Sequence, residues 1–150
     1  MPFYIAYRGD AGGASADYNE LRSQESMISI IVPCYNEQEA LPFFHEEVSR
    51  VLKEIGEDYE LLFVNDGSKD DTLKELKALS TKDPHVIYLS FSRNFGKEAA
   101  MYAGFCNAKG DYIAVMDADL QDPPALLPEM LKMLETDEYD SVATRRVSRE

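Results

Sequence analysis

Five apolar, β-branched runs, at 28–32, 61–64, 86–91, 112–116 and 139–143, alternate along this chain with stretches of helical period. That alternation limits the fold more than any other feature. Strands separated by helices build βαβ units around a mostly parallel sheet, with right-handed crossovers. In EALPFFHEEVSRVLKEIG, Leu41, Phe44, Val48, Val51, Leu52 and Ile55 recur on one helical face. SKDDTLKELKAL sets Leu73, Leu76 and Leu79 on another, with Ser68 as the expected N-cap. GKEAAMYAGFCNAKG is rich in small residues and predicts close packing, and PPALLPEMLKMLE places its prolines in a first helical turn. The expectation is a three-layer α/β domain over residues 27–150. Residues 1–26 contain the small, polar stretch GDAGGASAD and show no clear period. They are expected to form a mobile leader outside the core, a short docked strand or helix within it being the alternative.

The length suffices for one domain with its own core: 150 residues. With 15 Lys and Arg against 28 Asp and Glu, the formal net charge is −13. Nucleic acids attract basic surfaces, so this balance argues against one as a partner. An anionic ligand would need local basic groups or a cation. The two cysteines, Cys34 and Cys106, provide neither a disulfide framework nor a zinc spacing, which suits a reducing, cytoplasmic setting. Cys34 reads as a small hydrophobe rather than a nucleophile. The first residues lack the basic start and long apolar stretch of a signal peptide. No apolar run approaches the roughly 20 residues of a membrane span.

In open parallel sheets, ligands bind beyond the carboxyl ends of the strands, so chemistry is sought there. The first strand ends in VPCYNE. Pro33 is expected to stop the ladder, Tyr35 stacks on a base or packs on the sheet rim with equal weight, and Glu37 has the common reading of a helix-start carboxylate. The second ends in FVNDGSKDDT, where Asn65-Asp66-Gly67 has the composition of an ordinary turn. At the crevice, however, Asp66 would also offer an acceptor to a base N–H or a ribose hydroxyl. The third ends in SFSRNFGKEAAM, with Arg93 and Lys97 bracketing Asn94-Phe95-Gly96. Two cations beside helix N–H groups suit a phosphate, surface charge being the alternative. The fourth ends in VMDADLQDPP. Extended backbone there sends Asp117 and Asp119 the same way. Two hard oxygen donors suit Mg²⁺ or Mn²⁺, with substrate phosphates and water completing the shell, and Gln121 adds a neutral oxygen. Among 13 aspartates, this pair gains its weight from standing at a strand end. No G-x-G-x-x-G follows a strand, which disfavours dinucleotide binding.

With these four strand ends assembled, the chain resembles the family 2 glycosyltransferases of the GT-A fold. It is most similar to the branch that serves polyprenyl phosphates, such as dolichol-phosphate mannose synthase and bacterial undecaprenyl-phosphate glucosyltransferase-like proteins. SIIVPCYNE, LLFVNDGSKDDT, RNFGKEAAMYAGF, GDYIAVMDADLQDPP and SVATRR carry the resemblance, in family order across residues 28–146. It implies a nucleotide-sugar site, with UDP or GDP as the carrier. Pro33, Tyr35 and Glu37 would border the base and ribose, and Asp66, with Val64 beside it, would hold the base. Asp117, Ala118 and Asp119 would line the ribose and diphosphate. Asp119 and Gln121 would be metal ligands with Asp117 sharing the shell, Arg145 would touch the diphosphate, and Arg93, Asn94 and Lys97 are secondary candidates. Family domains run longer than 150 residues and this branch often ends in membrane helices, so the chain is expected to be the donor-binding part of a bacterial enzyme of cell-wall or glycan biosynthesis. The full-length relative would act at the cytoplasmic face of a membrane by metal-assisted inverting displacement onto a lipid phosphate. An uncovered sheet would favour homo-oligomers.

Two other readings compete. One is a nucleotide-binding module without transfer activity. The other is a metal phosphohydrolase, which the histidines oppose: only His45 and His85 exist, neither at a strand end.

Overall fold

The computed structural model describes residues 5–8, 26–136 and 138–145. Its strands are β1 (Ile5–Arg8), β2 (Met27–Cys34), β3 (Asp58–Asn65), β4 (Val86–Ser90), β5 (Tyr112–Val115) and β6 (Ser141–Ala143). Its helices are α1 (Leu41–Ile55), α2 (Thr72–Lys82), α3 (Lys97–Asn107) and α4 (Leu127–Glu135), the last entered through a 3₁₀ turn at Pro124–Leu126. The strands form one sheet in the order β4-β3-β2-β5-β1-β6. Strands β4, β3, β2 and β5 are parallel neighbours, so their carboxyl ends share one edge. The expected α/β architecture around a largely parallel sheet is present.

Strand β1 departs from the expectation for the leader. It pairs antiparallel with β5 on one side and β6 on the other, so residues 5–8 belong to the sheet rather than outside it. Between β5 and β6 lies a gap one strand wide, whose backbone N–H and C=O groups need partners. The backbone of IAYR supplies them on both sides. The rest of the leader up to residue 25 lies outside the described residues. Pro33 also differs from expectation, for it lies inside β2 and the ladder with β3 continues to Cys34–Asn65. Pairing on the β5 side ends two residues before Pro33, at Ile31–Val115, so the missing proline N–H falls beyond that ladder.

Helices cover both faces. Against one face, Leu41, Phe44, Val48 and Leu52 of α1, Leu76 of α2, and Leu127, Met130 and Leu134 of α4 pack on Ile30, Val32, Leu61 and Phe63, all buried. Phe44 meets Phe63 edge-to-face at 5.9 Å. Each such fully buried side chain contributes about 1.5–3 kcal/mol of hydrophobic stabilisation. On the other face α3 lies over Ile31, Leu62 and Val115. Its small residues serve close approach: a Cβ at Gly104 would fall 2.3 Å from Ile31 Cγ2. Ser68 does not cap α2, whose N-cap is Asp71 without a side-chain bond.

The edge opposite the strand carboxyl ends is tied by polar clusters. Glu60, buried, accepts hydrogen bonds on Oε1 from the Ser29 hydroxyl at 2.6 Å and the Lys109 N–H at 2.8 Å. The Ser29 hydroxyl accepts in turn from the Gly110 N–H at 2.8 Å, so the turn before β5 is pinned to β2 and β3. Asp83 joins His45 of α1 (2.7 Å) to His85 before β4 (2.8 Å), and His85 stacks on Tyr59 at 4.1 Å. Both histidines therefore sit away from the carboxyl edge. No helix among the described residues is long and apolar enough to cross a membrane.

Candidate functional site

Three loops converge beyond the carboxyl ends of β2, β3 and β5. The loop after β2 and the loop after β3 are laced by their own side chains. The Asn36 N–H donates to Ser68 Oγ (3.0 Å), Glu37 N–H to Thr72 Oγ1 (2.9 Å), Lys69 N–H to Asn36 Oδ1 (2.8 Å) and Asp71 N–H to Gln38 Oε1 (2.8 Å). These bonds give the loop backbone its partners and leave Tyr35 exposed and Glu37 half-buried at the rim. Asn36 has φ +54° and Leu120, in the loop after β5, has φ +57°; they are the non-glycine residues with positive φ among those described. Left-handed backbone at such residues persists where its surroundings over-determine it, and it gathers at ligand sites.

Asp66, buried at the end of β3, has a defined structural task. Its Oδ1 accepts the Phe95 N–H at 2.7 Å and its Oδ2 accepts the Gly96 N–H at 3.0 Å. The carboxylate thus holds the turn that starts α3. Each oxygen retains a second acceptor direction, so this clamp leaves room for the contact with a base that the resemblance implies. Gly67 makes the clamp possible. It has φ +65°, and a Cβ there would lie 2.2 Å from the Arg93 carbonyl carbon, so the two loops pass nearly backbone to backbone. Arg93 is exposed, with its guanidinium 4.5 Å from the Phe95 ring centroid, and Asn94 is exposed beside it.

The loop after β5 does not stay extended. It turns at Ala118–Asp119, so Asp117 and Asp119 take different partners. Asp117, half-buried, accepts Lys97 Nζ on Oδ1 at 2.6 Å. Asp119, exposed, accepts its own Gln121 N–H on Oδ1 at 3.2 Å. Both still face one region. Burial first, then the charges of Asp119, Asp117 and Asp70, push the Glu37 carboxyl above the usual carboxylate range. Burial, Glu37 and Asp117 likewise push the Cys34 thiol well up, which keeps it protonated and inert, as its reading as a small hydrophobe requires. Val64 and Ala118 are buried beneath these groups, and Pro33 is partly buried.

Arg145 lies exposed beyond β6. Ile5 of β1 is level with both Val115 and Ala143, so Asp117 and Arg145 each stand two residues past the same level on the same edge. With β1 between them, their strands are about 10 Å apart.

The donor set fits a divalent cation in part. Asp117, Asp119 and Gln121 offer hard oxygens in a field negative enough to raise Glu37. Among the described residues, no group of three His, Cys, Asp or Glu side chains is placed to hold a metal ion by itself. A cation here would complete its shell with oxygens from water or from a ligand. Two features of the site had little signal in the sequence. The lacing by Gln38, Ser68, Asp70 and Thr72 looks in sequence like an ordinary polar turn, and nothing about Leu120 announces a left-handed residue.

The model of glycosyl transferase family 2 matches residues 29–150. The undecaprenyl-phosphate 4-deoxy-4-formamido-L-arabinose transferase of Proteus mirabilis is 41% identical over 124 residues, covering 82% of this chain and 38% of its own. The prophage bactoprenol glucosyl transferase homolog of Escherichia coli is 46% identical over 105 residues, covering 70% of this chain and 34% of its own. The chain therefore spans between a third and two fifths of these relatives. Among solved structures, the mannosyltransferase PcManGT from Pyrobaculum calidifontis in complex with GDP-Man and Mn²⁺ superposes with TM-score 0.62 at 21% identity, over 75% of this chain and 33% of that one. TarS of S. aureus in complex with UDP superposes with TM-score 0.56 at 21% identity, over 73% and 32%. These two likenesses bear on the fold, and the family match bears on descent: the chain belongs to glycosyl transferase family 2.

Proposed function

We propose that this chain is the donor-binding part of a glycosyltransferase that moves a sugar from a uridine or guanosine diphosphate to a polyprenyl phosphate. One observation carries the reading: Glu37, Asp117 and Asp119 gather at the carboxyl edge of a parallel sheet, and the Lys97–Asp117 pair offsets that negative charge only in part, so a diphosphate approaches best with a divalent cation between. The names of the relatives, which are undecaprenyl-phosphate and bactoprenol transferases, support the acceptor class. The neighbours holding GDP-Man with Mn²⁺, or UDP, support the donor class.

Tyr35, Pro33 and Glu37 border the base and ribose, above Val64, and Asp66 meets the base while holding the α3 start. Ala118 floors the diphosphate channel. Asp117, Asp119 and Gln121 would hold Mg²⁺ or Mn²⁺, which when bound neutralises the charge of the leaving diphosphate. Arg145, on the same edge, adds positive charge from the far side. Arg93 and Asn94 stand at the margin of this channel. A lipid phosphate is ionised at neutral pH and attacks the anomeric carbon in one inverting displacement without a strong protein base. The relatives' remaining length supplies the acceptor half and, at the cytoplasmic face of a membrane, its anchorage. Self-association of this chain through its less covered sheet face is part of the same reading.

Transfer of radiolabelled sugar to undecaprenyl phosphate, run with this chain and with a full-length relative, tests the reading. Transfer by the relative that is lost on substituting the aspartate equivalent to Asp119 is expected. Nucleotide binding without transfer by either protein would favour the alternative, a binding module.

A further inference from the structure

We infer that Lys97 is the resident counter-cation of the acidic cluster, a latch on Asp117 that opposes a divalent cation taking that carboxylate. The inference rests on the nucleotide-sugar reading and adds to it a control on the order of binding. Lys97 Nζ lies 2.6 Å from Asp117 Oδ1, a short charge-assisted hydrogen bond. The contact joins two of the converging loops across 20 residues of sequence. Lys97 is the first residue of α3, and its backbone position is fixed from the other side, since Asp66 accepts the N–H groups of Phe95 and Gly96 immediately before it. The buried carboxylate thereby aims the lysine at the half-buried one.

The ammonium competes directly with a metal ion for Oδ1, and a metal ion on either carboxylate oxygen would meet its positive charge. A single positive charge at hydrogen-bond distance also repels an incoming divalent ion. The lysine can yield without disturbing the fold, because its side chain is 49% exposed and ends a flexible four-carbon stem. A displaced ammonium stays at the N-terminus of α3, where helix N–H groups and positive charge together favour a phosphate oxygen. A diphosphate arriving with the metal therefore draws Lys97 away from Asp117, whereas metal alone must displace it unaided. The latch makes metal binding weak in the absence of nucleotide and stronger in its presence.

The experiment measures Mn²⁺ binding to the intact 150-residue chain by electron paramagnetic resonance of free Mn²⁺. Each protein is titrated without nucleotide and then with UDP or GDP, and circular dichroism checks that every variant keeps its helices. Lys97→Met should bind Mn²⁺ alone about 3- to 10-fold more tightly than the parent, the range for an exposed-to-half-buried charge contact. Lys97→Arg, which keeps the charge, should stay close to the parent. In an Asp117→Asn background the Lys97→Met change should have no effect, because the shared partner is gone. Unchanged or weaker Mn²⁺ binding by Lys97→Met overturns the latch, as does an effect that survives in the Asp117→Asn background. Absence of Mn²⁺ binding by both parent and Lys97→Met also overturns it. Tightening by Lys97→Met with no response of Mn²⁺ binding to either nucleotide would leave the opposition of Lys97 to metal standing and refute the nucleotide-sugar reading together with the order of binding built on it.

Discussion

Replacing Asp66 by asparagine should destabilise the chain even when no ligand is present. Asp66 is 3% exposed, and its two oxygens accept separate backbone N–H groups, from Phe95 at 2.7 Å and Gly96 at 3.0 Å. Asparagine keeps one oxygen and puts an NH₂ where the second acceptor stood, so one N–H donor then faces another. The change removes one hydrogen bond to a charged group, worth about 1.5–3 kcal/mol. It also removes a negative charge from the start of α3, worth about 0.3–1 kcal/mol. Relaxation of the loop and water entering this partly exposed turn return some of that, so the expected loss is about 2 kcal/mol. Urea unfolding of the parent and Asp66→Asn, followed by far-UV circular dichroism without nucleotide or metal, reads it as a fall in midpoint at unchanged slope. A group serving the base alone would leave ligand-free stability unaltered. A difference below about 0.5 kcal/mol, the usual range of a surface substitution, would refute the clamp.

The Asp83 contacts predict a pH dependence. Burial opposes ionisation of this carboxyl, but the His85 N–H and the His45 and His85 rings overcome it and bring the pKa down to about 2. A lowered folded value gives stability that is present above the ordinary 3.8 and lost as pH falls through about 2. Asp83→Asn should therefore be less stable by about 2 kcal/mol near pH 6, the free-energy equivalent of such a shift, with the gap closing toward pH 2; a gap independent of pH would contradict this. Removing residues 1–26 takes β1 from between β5 and β6 and opens two strand edges. The shortened chain should melt at lower temperature and scatter more light, and an unchanged melting temperature would place the stability elsewhere.

The parallel part of the sheet was legible in the sequence because buried strands are apolar and β-branched almost throughout, as SIIVP and LLFV are. Helix α1 was legible because Leu41, Phe44, Val48, Val51 and Leu52 repeat at the helical period, and each is buried. Strand β1 was not, because four residues within a polar leader carry no period, and their role depends on a gap that exists only once β5 and β6 are in place. Ser68 misled for a related reason. A serine before a helix is a good N-cap locally, yet its hydroxyl accepts from Asn36, 32 residues away. In the site, strand ends and residue types identified Asp66, Asp117 and Asp119 as candidates. They did not reveal that Asp66 grips the α3 start or that Lys97 pairs with Asp117, since both contacts cross between loops whose relative positions only the fold defines.

The most direct test of the account is calorimetry of UDP and GDP against this chain and its Asp119→Asn variant, with Mn²⁺ and with EDTA. A diphosphate beside Asp117 and Asp119 needs a cation between the like charges, so the parent should bind one of the two nucleotides with Mn²⁺ and lose that binding in EDTA. Asp119→Asn should weaken the Mn²⁺-dependent affinity by about 1–3 kcal/mol, the value of one charge-assisted contact. Equal affinity with Mn²⁺ and with EDTA, or an Asp119→Asn variant that binds as the parent does, would contradict the proposal that these carboxylates hold the diphosphate through a metal.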